Sequence, residues 1–164
     1  MVTYYLDTSA LLKRYVDEAG SEWLRSTLFN SERETVIIST HLLITEVISA
    51  LNRRVREKTV TSRDYERLSG CFRDDCLDTY YLIGIDEAII DLACTLLERH
   101  PLRAYDAMHL ATALSINQRL VETEESVLTF LSADDRLNDA AAAEGLAVDN
   151  PNDHPLGIQE SKQP

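Results

Sequence analysis

Cysteine is scarce in this 164-residue chain, with three residues, Cys71, Cys76 and Cys94. An odd number cannot pair completely, and their spacing matches no zinc module. They read as small buried hydrophobes of a reducing compartment. The four histidines, His41, His100, His109 and His154, stand singly, which also speaks against a zinc site. The five glycines, Gly20, Gly70, Gly84, Gly145 and Gly157, form no phosphate-cradling loop, which excludes the common nucleotide-binding designs. No apolar run approaches the roughly 20 residues of a membrane helix. Residues Met1 to Leu6 read as a strand and lack the basic head, apolar middle and cleavage site of a signal peptide. A cytoplasmic protein without membrane contact is expected. Positive charge is in short supply as well. There are 28 acids against 16 bases, for a net charge of −12. Nonspecific phosphate binding is mostly the work of Lys and Arg. A nucleic-acid ligand would therefore have to be met through metal ions and a small local basic patch. A basic protein partner is another reading of the same charge.

What is present suits a single domain, since a chain of this length can bury roughly 70% of its unfolded surface. Strand-length hydrophobic runs alternate with helical patterns, which predicts an α/β domain with a central, mainly parallel sheet flanked by helices. The predicted strands are Val2–Leu6, Thr35–Ser39, Tyr80–Ile85, Val127–Ser132 and a short one at Leu146–Val148. Helices are predicted over Ser9–Val16, Ser21–Asn30, His41–Arg56, Thr61–Leu77, Glu87–Arg99, Asp106–Ile116 and Asp135–Glu144. In the third of these, Ile44, Ile48, Leu51 and Val55 mark one buried face. Gly145 reads as a helix C-terminal cap. The domain is expected to span residues 1–148, with 149–164 a proline-rich, weakly hydrophobic, disordered tail.

In an open parallel sheet, ligands sit beyond the carboxyl ends of the strands. Asp7 and Asp134 fall there, each just past a predicted strand, and Asp106 opens a predicted helix. Taken singly, each also reads as a helix N-cap, and Ser132 with Asp135 resembles a capping box. Asp86 keeps the capping reading. Glu46 is different, because it lies mid-helix beside an apolar stripe, where no cap is needed. Buried carboxylates are rare unless paired or bound to a cation, and Arg53 and Arg54 do not stand three or four residues away. Acids from separate elements that converge would suit Mg²⁺ or Mn²⁺. Composition and spacing do not show that they converge.

Four stretches together resemble the PIN-domain family, and within it the VapC-type ribonuclease toxins. They are Tyr5-Leu6-Asp7-Thr8-Ser9-Ala10-Leu11, Thr45-Glu46-Val47, Leu102 to Ala113 with its Tyr-Asp-Ala-Met-His-Leu-Ala core, and Leu131-Ser132-Ala133-Asp134-Asp135-Arg136-Leu137. The resemblance implies that Asp7, Glu46, Asp106 and Asp134 group at one end of the sheet as catalytic residues. It makes Asp7, Asp106 and Asp134 the ligands of Mg²⁺ or Mn²⁺, with Glu46 a further ligand or the base that positions water. Ser9 and Ser132 become supporting residues. The choice between Asp134 and Asp135 stays open, with Asp134 preferred from its place two residues after the strand-end serine. Tyr105 and His109 are expected to be packing residues.

The implied activity is hydrolysis of RNA phosphodiester bonds by the toxin of a toxin–antitoxin pair. Its expected partners are RNA, a small antitoxin with a basic tail, and a second copy of the chain in a homodimer. Lys13, Arg14, Arg53 and Arg54 are candidate RNA contacts. The alternative is a non-catalytic PIN-like protein acting as an RNA- or protein-binding module. A phosphotransferase with Asp7 as nucleophile would want a second acid two residues on, where Ser9 stands.

Overall fold

The computed structural model describes residues 2–29, 34–123 and 127–154. Five strands form one sheet: β1 (Val2–Leu6), β2 (Thr35–Thr40), β3 (Tyr80–Ile83), β4 (Leu128–Leu131) and β5 (Ala147–Asp149). Their order is β3-β2-β1-β4-β5, and every neighbouring pair is parallel. The chain moves outward from β1 to β3 and then returns to the other side of β1. The strand order thus reverses between β1 and β4, at the kind of switch point where open α/β sheets bind ligands. The register pairs Leu6 with Leu131, so the residues following these two strands emerge side by side.

Among the described residues, seven α-helices flank the sheet: α1 (Thr8–Tyr15), α2 (Ser21–Leu24), α3 (Leu42–Arg56), α4 (Ser62–Asp78), α5 (Glu87–Arg99), α6 (Ala104–Glu122) and α7 (Asp135–Ala143). A five-residue π-helical turn, Arg25–Phe29, continues α2. Successive strand residues point to opposite faces, and the buried side chains divide accordingly. Tyr5, Ile38 and Phe130 enter one core with Leu96, Leu110 and Leu137 of α5, α6 and α7. Leu6, Ile37 and Leu131 enter the other with Leu11, Leu51 and Phe72 of α1, α3 and α4. In α6 the small residues Ala107, Ala111 and Ala113 are fully buried, which lets its backbone lie close to its neighbours. No described helix is long and apolar enough to cross a membrane.

Several expectations change in detail. The buried face of α3 is Leu43, Val47, Ala50 and Leu51. It is turned from the predicted stripe, and Ile44 and Ile48 pack at its edge. Helix α6 starts at Ala104, ahead of Asp106, and runs on to Glu122. The cysteines are free, but Cys71 and Cys94 are exposed and only Cys76 is partly buried. Gly145 does close α7: its φ is +92°, and the amides of Gly145 and Leu146 donate to the carbonyls of Ala142 and Ala141.

The fold also continues past the expected boundary at 148. Asn150 and Pro151 are buried, and the Asn150 side chain donates to Asp135 Oδ1 at 2.7 Å. The imidazole of His154 stacks on Trp23 with ring centroids 3.7 Å apart. Gly20, at φ +78°, is required by this packing, because a Cβ there would lie 2.1 Å from the Pro151 carbonyl oxygen. The predicted helix end at Asn30 and the tail from residue 155 lie outside the described residues.

Candidate active site

Asp7 leaves β1 at the switch point and is 5% exposed. It caps α1 and also lines a cleft. Its Oδ1 accepts from the Ala10 amide at 2.9 Å, which caps α1. Its Oδ2 accepts from the Ser132 hydroxyl at 2.8 Å, and the Ser9 hydroxyl donates at 2.8 Å. The amides of Ala133 and Asp134 donate in turn to the Ser9 and Ser132 hydroxyls, at 2.8 and 3.0 Å. The two serines therefore tie the β4–α7 turn to Asp7. Burial pushes the Asp7 carboxyl above its ordinary pKa, although His109, the Ala10 amide and the two serines all pull it down.

Glu46 projects from α3 one turn from the buried Leu43 and Ala50. Its Oε2 accepts from the Thr8 hydroxyl at 2.8 Å and from His109 Nε2 at 2.7 Å. Burial raises this carboxyl, but the hydrogen bond and field of His109, with Thr8, outweigh burial and leave it below its ordinary value. Asp106 is the third residue of α6 and not its cap. Its carboxyl is raised by burial first and then by the charge of Asp134, against a hydrogen bond from the Arg103 backbone. Asp134 caps α7 by accepting from the Arg136 amide at 2.9 Å. Asp86, as expected, only caps α5.

Asp7, Glu46, Asp106 and Asp134 line one cleft of about 500 Å³, together with Thr8, Ser9, Thr45, Ser49, Arg53, Tyr105 and His109. Asp135 is absent from that lining and is held by Asn150. The carboxylates are gathered into one cleft but not into one ligation sphere. Among the described residues, no three His, Cys, Asp or Glu side chains stand close enough to hold a metal ion. Like charges repel, and each acid has its own donors: serines and an amide for Asp7, His109 and Thr8 for Glu46, an amide for Asp134. The donor chemistry nevertheless fits a hard divalent cation. The available donors are carboxylate oxygens from separate elements, the class of ligand that hard divalent cations take.

The candidate RNA contacts separate sharply. Lys13 is 3% exposed and donates to Ala19 O at 2.7 Å and Glu18 at 3.2 Å. Arg14 bonds Asp75 at 2.8 Å and lies 3.8 Å from the centre of the Phe29 ring. Arg54 pairs with Glu18 at 3.1 Å. All three are held in structural ion pairs, Lys13 of α1 and Arg54 of α3 with Glu18 ahead of α2, and Arg14 of α1 with Asp75 of α4. Arg53 is exposed and reaches the cleft. Replacing Lys13 by Met is expected to cost about 1–3 kcal/mol, by leaving the Ala19 carbonyl and part of the Glu18 carboxylate unpaired. Denaturant unfolding checks it, and an unchanged midpoint would contradict the assignment.

The packing roles expected for His109 and Tyr105 are revised. His109 is 2% exposed, but it is hydrogen-bonded to a cleft carboxylate and to the Tyr5 hydroxyl at 3.0 Å. Its place on the same face of α6 as Asp106 was the available signal. Tyr105 is 57% exposed and lines the cleft. Thr8 gave no signal beyond its position next to Asp7.

An all-parallel sheet with an acidic cleft at its switch point defines a class that a sequence profile makes specific. The PIN domain profile matches residues 4–143, and the chain belongs to the PIN domain family. It is 35% identical over 148 residues to Ribonuclease VapC46 of Mycobacterium tuberculosis, covering 90% of this chain and 97% of that protein. The fold also matches a solved toxin–antitoxin complex from Klebsiella pneumoniae, with a TM-score of 0.57 at 17% identity over 93% of this chain and 99% of that one. A further match is FitAcB from Neisseria gonorrhoeae, with a TM-score of 0.58 at 15% identity over 90% and 97% of the two chains.

Proposed function

We propose that this chain is a divalent-metal-dependent ribonuclease and the toxin of a toxin–antitoxin pair. The observation that carries the reading is the meeting of Asp7, Glu46, Asp106 and Asp134 in one cleft at the carboxyl ends of β1 and β4. The named activity of the curated relative supports it. Asp7, Asp106 and Asp134 would hold Mg²⁺ or Mn²⁺, which supplies Lewis-acid activation of water and of the scissile phosphate. Ser9 and Ser132 keep the Asp7 carboxylate in a fixed plane. Glu46, held below its ordinary pKa, stays ionised at neutral pH and can orient a water or take its proton. Arg53 offers the cleft a cation for a phosphate of the RNA backbone.

Arg53→Ala is expected to raise KM on the order of tenfold with kcat nearly kept, as for loss of one charged hydrogen bond. The salt dependence of single-strand binding should shrink by about 0.7 in log–log slope. An unchanged KM and slope would remove Arg53 from the RNA path.

The net charge of −12 suits a basic segment of an antitoxin, whose Lys or Arg would reach Asp7 and Asp106. A homodimer is part of the same proposal. Expression of the wild type alone should arrest growth and fragment cellular RNA, and Asp7→Asn should do neither. Co-expression with the neighbouring antitoxin gene should relieve arrest and yield a stable complex. A harmless wild type with no co-purifying partner would remove the toxin reading. A chain that binds RNA without cutting it under any metal condition would be the non-catalytic module instead.

A further inference from the structure

The nuclease reading uses Glu46 but leaves unexplained the side chains behind it. Those run from the cleft into the core. His109 Nε2 meets Glu46 Oε2 at 2.7 Å, and His109 Nδ1 meets the Tyr5 hydroxyl at 3.0 Å. Tyr5 is fully buried, and its phenol has one O–H to donate. Its ring stacks on Phe130 with centroids 5.5 Å apart and planes 9° apart, and it meets the His109 imidazole edge-on. A carboxylate only accepts, so Nε2 carries the hydrogen that faces Glu46. In the neutral imidazole Nδ1 is then the acceptor for the Tyr5 hydroxyl, which is the Nε2–H tautomer. Thr8 donates to the same Glu46 oxygen, with its hydroxyl 3.5 Å from Nε2.

We infer that His109 is a positioning residue for Glu46, locked in one tautomer by Tyr5 so that the carboxylate is gripped at Oε2 and offers Oε1 to the cleft. The His109–Glu46 bond joins a core side chain, 2% exposed, to a cleft carboxylate that is 20% exposed. The anchor is also rigid. Tyr5 lies in the central strand, and His109 lies in the buried segment of α6. Glu46 sits on a helix with its long side chain otherwise free to rotate, and such a group contributes to a reaction only when its rotamer is fixed. The inference rests on the proposed nuclease reading for the role of Glu46, but not for the clamp itself.

The test uses the full chain, single-stranded RNA and Mn²⁺. His109→Leu keeps the volume and removes the donor. It is expected to lower kcat about 10–100-fold, as loss of a ligand-orienting partner does, with KM within about twofold. His109→Gln, whose side-chain amide can donate to Glu46, should recover most of that loss. In a Glu46→Gln background, His109→Leu should cost nothing further, because residues acting through one another are not additive. Full activity in His109→Leu, no recovery in His109→Gln, or an additive double variant would each overturn the proposal. Should His109→Leu fail to fold, Tyr5→Phe replaces it, with a several-fold fall in kcat expected only where Glu46 is intact. The imidazole ¹⁵N spectrum reads the clamp without an assay: Nε2 protonated and Nδ1 accepting, a pattern that Tyr5→Phe should disturb. An inactive wild type with that pattern would sink the nuclease reading and keep the clamp, whereas a hydrogen on Nδ1 alone would sink the clamp.

Discussion

Asp7→Asn is expected to slow RNA cleavage by at least about a hundredfold while melting no lower than the wild type at neutral pH. The first half follows from its proposed role in holding the metal. Loss of a partner that merely orients a ligand already costs 10–100-fold, and Asp7 is proposed as a ligand itself. The second half follows from burial. At 5% exposure the Asp7 carboxyl is held above its ordinary value of 3.8, chiefly by desolvation. The folded protein therefore prefers this group protonated. Stability is full below 3.8, falls as pH rises from there through the raised folded value, and stays reduced above it. Asparagine carries no charge and escapes that loss. Asp106 is raised for the same leading reason, with the charge of Asp134 added, so Asp106→Asn should behave alike. Glu46 has the opposite sign. Its lowered pKa contributes stability that is present above its ordinary 4.5 and lost as pH falls through the folded value. Melting temperature against pH from 3 to 8, measured for the wild type and each variant without metal, checks all three. An Asp7→Asn protein that cuts normally, or that melts far below the wild type at pH 7, would contradict the account.

Removal of divalent ions is expected to stop cleavage altogether, and adding them should stabilise the fold. The charge of Asp134 raises Asp106 across the cleft, and a cation bound between them would offset that repulsion. An ion that binds only the folded state at ten times its Kd stabilises it by about 1.4 kcal/mol. For a domain of this size that is a rise in Tm of roughly 3–6 °C. Mn²⁺ should give that rise in the wild type and much less in Asp134→Asn. A melting curve that does not move up to millimolar Mn²⁺ would remove Asp7, Asp106 and Asp134 as a shared metal site.

The strands were legible because each is a short apolar run bounded by polar residues, and all five predicted strands have counterparts in the sheet. Parallel order followed from the alternation with helices. The orientation of individual side chains was less accessible. The predicted stripe of α3 was offset, because Ile44 and Ile48 are as apolar as Val47 but only Val47 is fully buried. Sequence alone also ranked Lys13 and Arg14 beside Arg53, since a basic residue near a candidate site reads the same whether it faces solvent or an acid sixty residues away. Asp75, the partner of Arg14, comes from α4, and no local pattern announces that pairing. Asp7 shows why single residues stay ambiguous: it both caps α1 and lines the cleft. The tail was misjudged at its start because Asn150, Pro151 and His154 look like linker residues. They dock through one side-chain amide, one close approach to Gly20 and one stack on Trp23.

The central claim is that these carboxylates form a metal-dependent site for cutting RNA. It is tested most directly by incubating the purified chain with end-labelled single-stranded RNA in Mn²⁺ or Mg²⁺, in excess EDTA, and with Asp7→Asn in place of the wild type. The account predicts discrete shorter fragments from the wild type with metal, none in EDTA, full return when metal is restored, and none from Asp7→Asn. Cleavage that persists undiminished in EDTA or in Asp7→Asn, or intact RNA under every metal condition, would contradict it.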